Sequence, residues 1–237
     1  MQTNNLLSIE DIVQSISAKK MPVVFIDTCV FLDIIRSPFR DQLKTEVVAN
    51  SLKVMEMRHF NSQEITLVTN ETVVFEWQDN VDAVERELKK HISKLSSGRK
   101  KLLEIAKLIS GIDFGHGYDA ESIDLHTQLK NLSHTLLHHC LVLKREDSHK
   151  AKAMDRVFFG LAPAKKGKQE AKDCEIFESF LDVAKRLKDL DFKEKICFTS
   201  SNTEEYGMEN LQLASELQQL DAKYANSLSH ALHVIKS

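Results

Sequence analysis

The stretch Pro22-Val23-Val24-Phe25-Ile26-Asp27-Thr28-Cys29-Val30-Phe31-Leu32-Asp33-Ile34-Ile35-Arg36 sets an apolar, β-branched run against a carboxylate, and a segment of helical periodicity follows at once. A short, continuous apolar run bounded in this way predicts a strand buried on both faces, as in a parallel sheet. Ligands of open α/β sheets bind outside the carboxyl ends of the strands, so Asp27 stands where function is usually found. Asp is also a favoured N-cap, and capping of the next helix is the plainer reading of the same residue. The choice depends on whether other carboxylates reach the same edge.

The rest of the chain is built to surround such a sheet. With 237 residues, 42% of them hydrophobic, it has enough material for a full core, and residues 1–237 read as one enlarged domain. Seven Gly and three Pro leave no flexible linker in view. A net charge of -3 gives no support for nucleic-acid binding from overall basicity, so any such surface must be a local patch. No apolar run is long enough to span a membrane. Met1–Glu10 lacks the regions of a signal peptide, and a cytoplasmic location is expected. Cys29, Cys140, Cys174 and Cys197 have no CxxC spacing, which argues against zinc and fits reduced, mostly buried thiols.

Periodicity predicts a helix over 8–19, a strand over 22–27, and helices over 28–36 and 42–59. A second strand is expected over 64–69. A long helix from 71 to about 95 follows, with the stripe Val73, Val74, Trp77, Val81, Val84, Leu88, Ile92 and Leu95. Glu76 and Asn80 border that stripe one turn apart. Residues 99–110 and 121–144 read as two more helices. Leu125, Leu129, Leu132, Leu136, Cys140 and Leu143 form the seam of an antiparallel pair, so 80–145 is expected as a helical-hairpin extension on the core. Residues 144–172 are the one basic region, with nine Lys and Arg against four acids. A helix over 171–190, a strand over 195–199 and a polar helix with a tail from about 209 complete the expected order.

Three acids share one kind of address. Asp27 ends the first strand, Glu76 follows the second, and Asp173 opens the helix before the last. Asn202 and Glu205 lie just beyond that last strand. The wheel of the 171–190 helix places Asp173 on the apolar face of Phe177, Phe180, Leu181, Ala184 and Leu187, where a lone acid costs several kcal/mol. The same wheel puts Glu175 and Asp182 on the wet side and Glu178 at the border. Favourable interaction with the helix N-terminus is the structural explanation of Asp173. Clustered oxygen ligands would suit Mg²⁺ or Mn²⁺, since a cation relieves their mutual repulsion.

In order and spacing, Ile26-Asp27-Thr28-Cys29-Val30-Phe31, then Glu76, then Lys172-Asp173-Cys174-Glu175-Ile176-Phe177-Glu178, then Phe198-Thr199-Ser200-Ser201-Asn202-Thr203-Glu204-Glu205-Tyr206 resemble a PIN-like nuclease domain across roughly residues 20–207. The resemblance implies an α/β, three-layer fold with a central, mostly parallel sheet flanked by helices. It also implies a Mg²⁺- or Mn²⁺-dependent endoribonuclease acting on single-stranded or structured RNA. Asp27, Glu76 and Asp173 would be its principal acids. The family often carries a fourth Asp after the last strand, where Asn202 stands here, with Glu205 just beyond. Thr28, Thr199 and Ser200 beside those acids, and Lys165, Lys166, Lys168 and Lys172 just before Asp173, would contact substrate, the lysines through its phosphates. The expected partners are RNA, a second copy of the chain in a homodimer, and an inhibitory or effector-complex protein, as for a toxin or defence effector, with no membrane.

Two other classes stay open. A haloacid-dehalogenase-type phosphatase also starts with a strand ending in Asp, but it needs a second Asp two positions on, where Cys29 stands. A non-catalytic PIN-like module that binds RNA or protein is kept open by Asn202. His134, His138 and His139 project away from the leucine seam and read as a solvent-facing cluster, and Trp77 reads as core.

Overall fold

The computed structural model describes residues 6–59, 64–112, 115, 122–164, 171–207 and 211–236. Lys165, Lys166 and Lys168, and most of the segment 111–119 between two expected helices, lie outside the described residues.

At its centre β2 (Val23–Ile26) is buried along its whole length, because both of its edges and both of its faces are covered. It pairs in parallel with β3 (Thr66–Asn70) on one side and β5 (Ile196–Thr199) on the other, with Val23 opposite Thr66 and opposite Ile196. β4 (Leu141–Leu143) adds beyond β3, β1 (Leu6–Leu7) beyond β4, and β6 (Ala222–Ala225) beyond β5. The result is a six-stranded, all-parallel sheet of order β1-β4-β3-β2-β5-β6. From β2 the chain moves out through β3 to β4 and then returns to the opposite flank at β5. The direction of winding therefore reverses between β2 and β5, the crevice in which doubly wound sheets hold ligands.

Two groups of helices flank the sheet. In one, α1 (Ile9–Lys19), α6 (Asp147–Phe159) and α7 (Ala171–Asp189) pack together; in the other, α2 (Thr28–Arg36), α3 (Glu46–His59), α4 (Glu71–Ser110), α5 (Leu125–His138) and α10 (Leu228–Val234) do. The short α8 (Thr203–Tyr206) and α9 (Leu211–Gln219) bracket the path from β5 to β6. Where sheet meets α7, Phe25, Phe177, Phe180, Phe198 and Tyr206 form an aromatic cluster, with Phe25 and Phe180 edge-to-face at 5.8 Å and Phe198 and Tyr206 at 5.0 Å. Such pairs add about 0.5–1.5 kcal/mol each beyond the area they bury. They lie directly beneath the carboxyl edge.

Several boundaries differ from those read in the sequence. No break separates the helices expected over 71–95 and 99–110. Only Gly98 interrupts a run of good helix formers, and α4 continues for 40 residues, about 60 Å, until Gly111 caps it with φ 70°. Past Ile92 the stripe loses its cover, and Leu108 and Ile109 are 85% and 83% exposed. The segment 121–144 is not one helix: α5 ends at His138 and Leu141–Leu143 cross into the sheet between β1 and β3. Leu129 and Leu136 of the expected seam are buried, but α5 packs chiefly on α2. The span 80–145 therefore carries a sheet strand as well as a helical pair. Beyond residue 209 the expected tail holds β6 and α10. Trp77 is core, its Nε1–H donating to Ser133 Oγ at 2.9 Å, while His134 and His138 are exposed.

Candidate functional site

Asp27 leaves the end of β2 with its N–H donating to the Thr199 carbonyl of β5 at 3.0 Å, so the β2–β5 register fixes where its side chain starts. It is the N-cap of α2, and only 3% of it is exposed. Oδ1 accepts the Thr28 N–H at 2.7 Å. Oδ2 accepts the Ser200 hydroxyl at 2.7 Å and the Cys29 thiol at 3.1 Å. Capping and function are thus not alternatives here: one oxygen serves the helix and the other gathers donors from two elements.

Glu76 lies in the second turn of α4, part-buried. The Thr28 hydroxyl donates to its Oε2 at 2.7 Å, and Lys172 Nζ approaches Oε1 at 3.6 Å. Thr28 therefore ties the second acid to the helix that Asp27 caps. Asp173 sits in the first turn of α7 and is half-buried, not set within the apolar face as the wheel suggested. The buried residues there start at Cys174. The Asp173 carbonyl accepts the Tyr206 hydroxyl at 3.1 Å. On the loop after β5, the Asn202 N–H donates to Ser200 Oγ at 3.2 Å, and the Asn202 side-chain amide donates to Glu205.

These groups share an electrostatic field. Burial pushes the Asp27 carboxyl above its ordinary range. The bonds from Cys29, Ser200 and Thr28 pull it back, and the charge of Glu76 raises it further. Burial also pushes the Tyr206 hydroxyl well up, helped by the negative charges of Asp27, Asp173 and Glu205. Burial and then Asp27 likewise hold Cys29 well above the usual thiol range, so it remains a donor. Tyr206 thus lies within the field of Asp27, Asp173 and Glu205, and Asp27 within that of Glu76.

Of the expected substrate contacts, Thr199 and Ser200 are fully buried, and Ser200 and Thr28 direct their hydroxyls at Asp27 and Glu76. Thr28 and Ser200 thus position acids through their side chains, and Thr199 holds the Asp27 N–H through its carbonyl. Lys172 alone of the expected lysines lies among the described residues, exposed and beside Glu76. The roles of Cys29 and Tyr206 escaped the sequence reading, although both stand in its quoted motifs. Glu175 and Asp182 are not on a wet face. Arg145 grips buried Glu175 with two bonds of 2.7 and 2.9 Å, and Asp182 accepts from buried His149 at 3.0 Å, because α6 covers that side of α7. Glu178 is buried against Arg156.

Among the described residues, no three His, Cys, Asp or Glu side chains close on a common point as a ready-made cage. Mg²⁺ does not require one: it is usually held by one or two carboxylates and completes its shell with water and substrate phosphate oxygens. The donors converging here are hard oxygens, and Asp27 is held against its own desolvation and the charge of Glu76, both of which a cation would offset. The residues fit such an ion.

A family model described as a PIN domain matches residues 24–206, which runs from β2 through α8 and takes in every acid described above. No curated protein and no solved structure matches the chain. No helix among the described residues is long and apolar enough to cross a membrane.

Proposed function

The chain belongs to the PIN domain family, and on that premise we propose that it is a metal-dependent endoribonuclease whose acids are Asp27, Glu76 and Asp173, with Glu205 completing the set. PIN domains are typically nucleases that use Mg²⁺ or Mn²⁺. The observation that supports the proposal is the Thr28–Glu76 bond, which ties Glu76 to the start of the helix that Asp27 caps, at the reversal point of the sheet, while Tyr206 beyond β5 donates to the Asp173 carbonyl.

When bound, a divalent cation supplies a water of lowered pKa and neutralises charge building on the phosphodiester. Asp27 and Glu76 would hold it. Asp27 is kept in one orientation by its three donors, so little reorganisation is needed on binding. Asp173 and Glu205 would orient water or a second ion. Asn202, in the place of a fourth acid, holds the Glu205 carboxylate through its amide. Lys172 both steadies Glu76 and offers a cation to the substrate backbone. Cys29 stands where a phosphatase of the alternative class needs a carboxylate, and its thiol donates to Asp27.

The test is cleavage of an end-labelled single-stranded RNA in Mn²⁺, Mg²⁺ or EDTA. The wild type should cut only with metal. Asp27→Asn, Glu76→Gln and Asp173→Asn should each lower the rate at least about a hundredfold. In EDTA the Asp173→Asn protein should melt no lower than wild type. Cleavage that survives EDTA, or is indifferent to all three changes, overturns the proposal.

A further inference from the structure

A cavity of about 580 Å³ opens between α2, the start of α3 and the segments that follow β5 and β6. That volume is in the usual range for a small-molecule pocket. Asp33 is buried in its wall. The Ser201 hydroxyl donates to Asp33 Oδ2 at 2.5 Å, and the Ser201 N–H donates to Cys29 Sγ at 3.1 Å. Cys29 in turn donates to Asp27, so a continuous relay of hydrogen bonds joins the cavity wall to the proposed cutting centre. No part of the mechanism above uses this space.

From its chemistry we infer that the cavity receives a guanine base of the RNA substrate, next to the scissile phosphate; the inference rests on the nuclease reading. Asp33 and Glu46 line the cavity with Lys44 as the one cation in its lining, while Arg36 pairs with Asp33 from behind, so no excess of positive charge gathers a phosphate there and the backbone stays outside. Val30, Val47 and Leu228 offer apolar surface to a flat ring, and the amides of Asn50 and Asn226 can bond its edge. The Asn50 amide donates to the Glu46 carbonyl at 2.7 Å, which fixes its plane at the wall.

Asp33 selects among the bases. A carboxylate only accepts hydrogen bonds, with about four lone-pair sites. Here Ser201 takes one, and Arg36 contributes a long contact of 3.5 Å. Guanine alone sets two neighbouring N–H donors, at N1 and N2, on its pairing edge. In adenine, cytosine and uracil, the donor on that edge has an acceptor beside it, which faces the carboxylate unfavourably.

The test is equilibrium binding in EDTA, with the full chain, of a short labelled oligouridine and of the same strand carrying one central guanosine. The guanosine strand should bind about tenfold or more tighter to the wild type. The ratio should fall to near unity in Asp33→Asn, which turns a donor toward a donor, and in Asn50→Leu, which lies outside the Ser201 relay. Melting of each variant serves as the folding control. Equal binding of the two strands by the wild type, or a preference that persists in both variants, overturns the inference. Failure to bind either strand does so too. The metal-dependent cleavage assay judges the nuclease reading separately, so cleavage with no guanosine preference would sink this inference alone.

Discussion

The Thr28–Glu76 bond joins two elements of the proposed site and is the simplest link there to break cleanly. Thr28→Val keeps the shape and removes only the hydroxyl that donates to Glu76 at 2.7 Å. A hydrogen bond to a charged group contributes about 1.5–3 kcal/mol. The Glu76 side chain retains 18% of its exposure, so water replaces part of the loss, and the net coupling should be about 1–2 kcal/mol. For a chain of this length that corresponds to a drop in Tm of about 2–8 °C. The assay is a double-mutant cycle of Thr28→Val and Glu76→Gln by urea unfolding, with cleavage rates measured in parallel. Thr28→Val should slow cleavage about tenfold through misplacement of an acid that is still present, and Thr28→Ser should restore both rate and stability. Coupling below about 0.3 kcal/mol, or an unchanged rate in Thr28→Val, would refute the claim that this hydroxyl sets the second acid.

Two further outcomes follow from the covered side of α7. Arg156 is buried, pairs with Glu178 and with Glu216 at 2.9 Å, and caps the Ala162 carbonyl, so Arg156→Met should cost about 3–5 kcal/mol by stranding Glu178. Adding Glu178→Gln should recover part of that loss in thermal melts, and a purely additive loss would show that the pair is not coupled. The His149 bond, ahead of Arg186, holds the Asp182 carboxyl down from 3.8 to about 2. A depressed carboxylate contributes stability above its unfolded pKa and loses it as pH falls through the folded one. Unfolding free energy should therefore drop by about 1 kcal/mol more between pH 4 and pH 2 in wild type than in Asp182→Asn, after allowance for solvent screening. Parallel curves for the two proteins would contradict this.

The strands that carry the site were legible because each is a continuous apolar run closed by a polar residue. β2, β3 and β5 lie inside the sheet, so their residues are apolar or β-branched, with the short polar Thr66, Thr69 and Asn70 buried in β3. β1, β4 and β6 were not legible. Leu6–Leu7 is too short to show a period, Leu141-Val142-Leu143 continues the leucine spacing of α5, and Ala222-Lys223-Tyr224-Ala225 carries a charge. What makes these strands is the neighbour waiting to pair with them, which no local window contains. Glu175 failed for a similar reason: a helical wheel assumes one covered face, and α7 has two. Asp27, Glu76 and Asp173 could be found as acids at strand ends and helix starts. The donors around them could not, because Cys29 and Ser200 meet at Asp27 only through the pairing of β2 with β5, and Tyr206 reaches Asp173 across to α7.

That pairing makes the site tolerant of length in some places and intolerant in others. With Ile26 opposite Thr199, Asp27 and Ser200 emerge side by side at one edge. Side chains alternate along a strand, so a single residue inserted into β2 or β5 would turn its end to the other face and part the acid from its donor. The outer half of α4 has no such role in register. Residues added or removed there, even whole turns, would leave the β2–β5 edge unshifted. Variation in chain length among proteins built on this plan should therefore collect in that projecting helix and stop short of the segments on either side of Asp27 and Ser200.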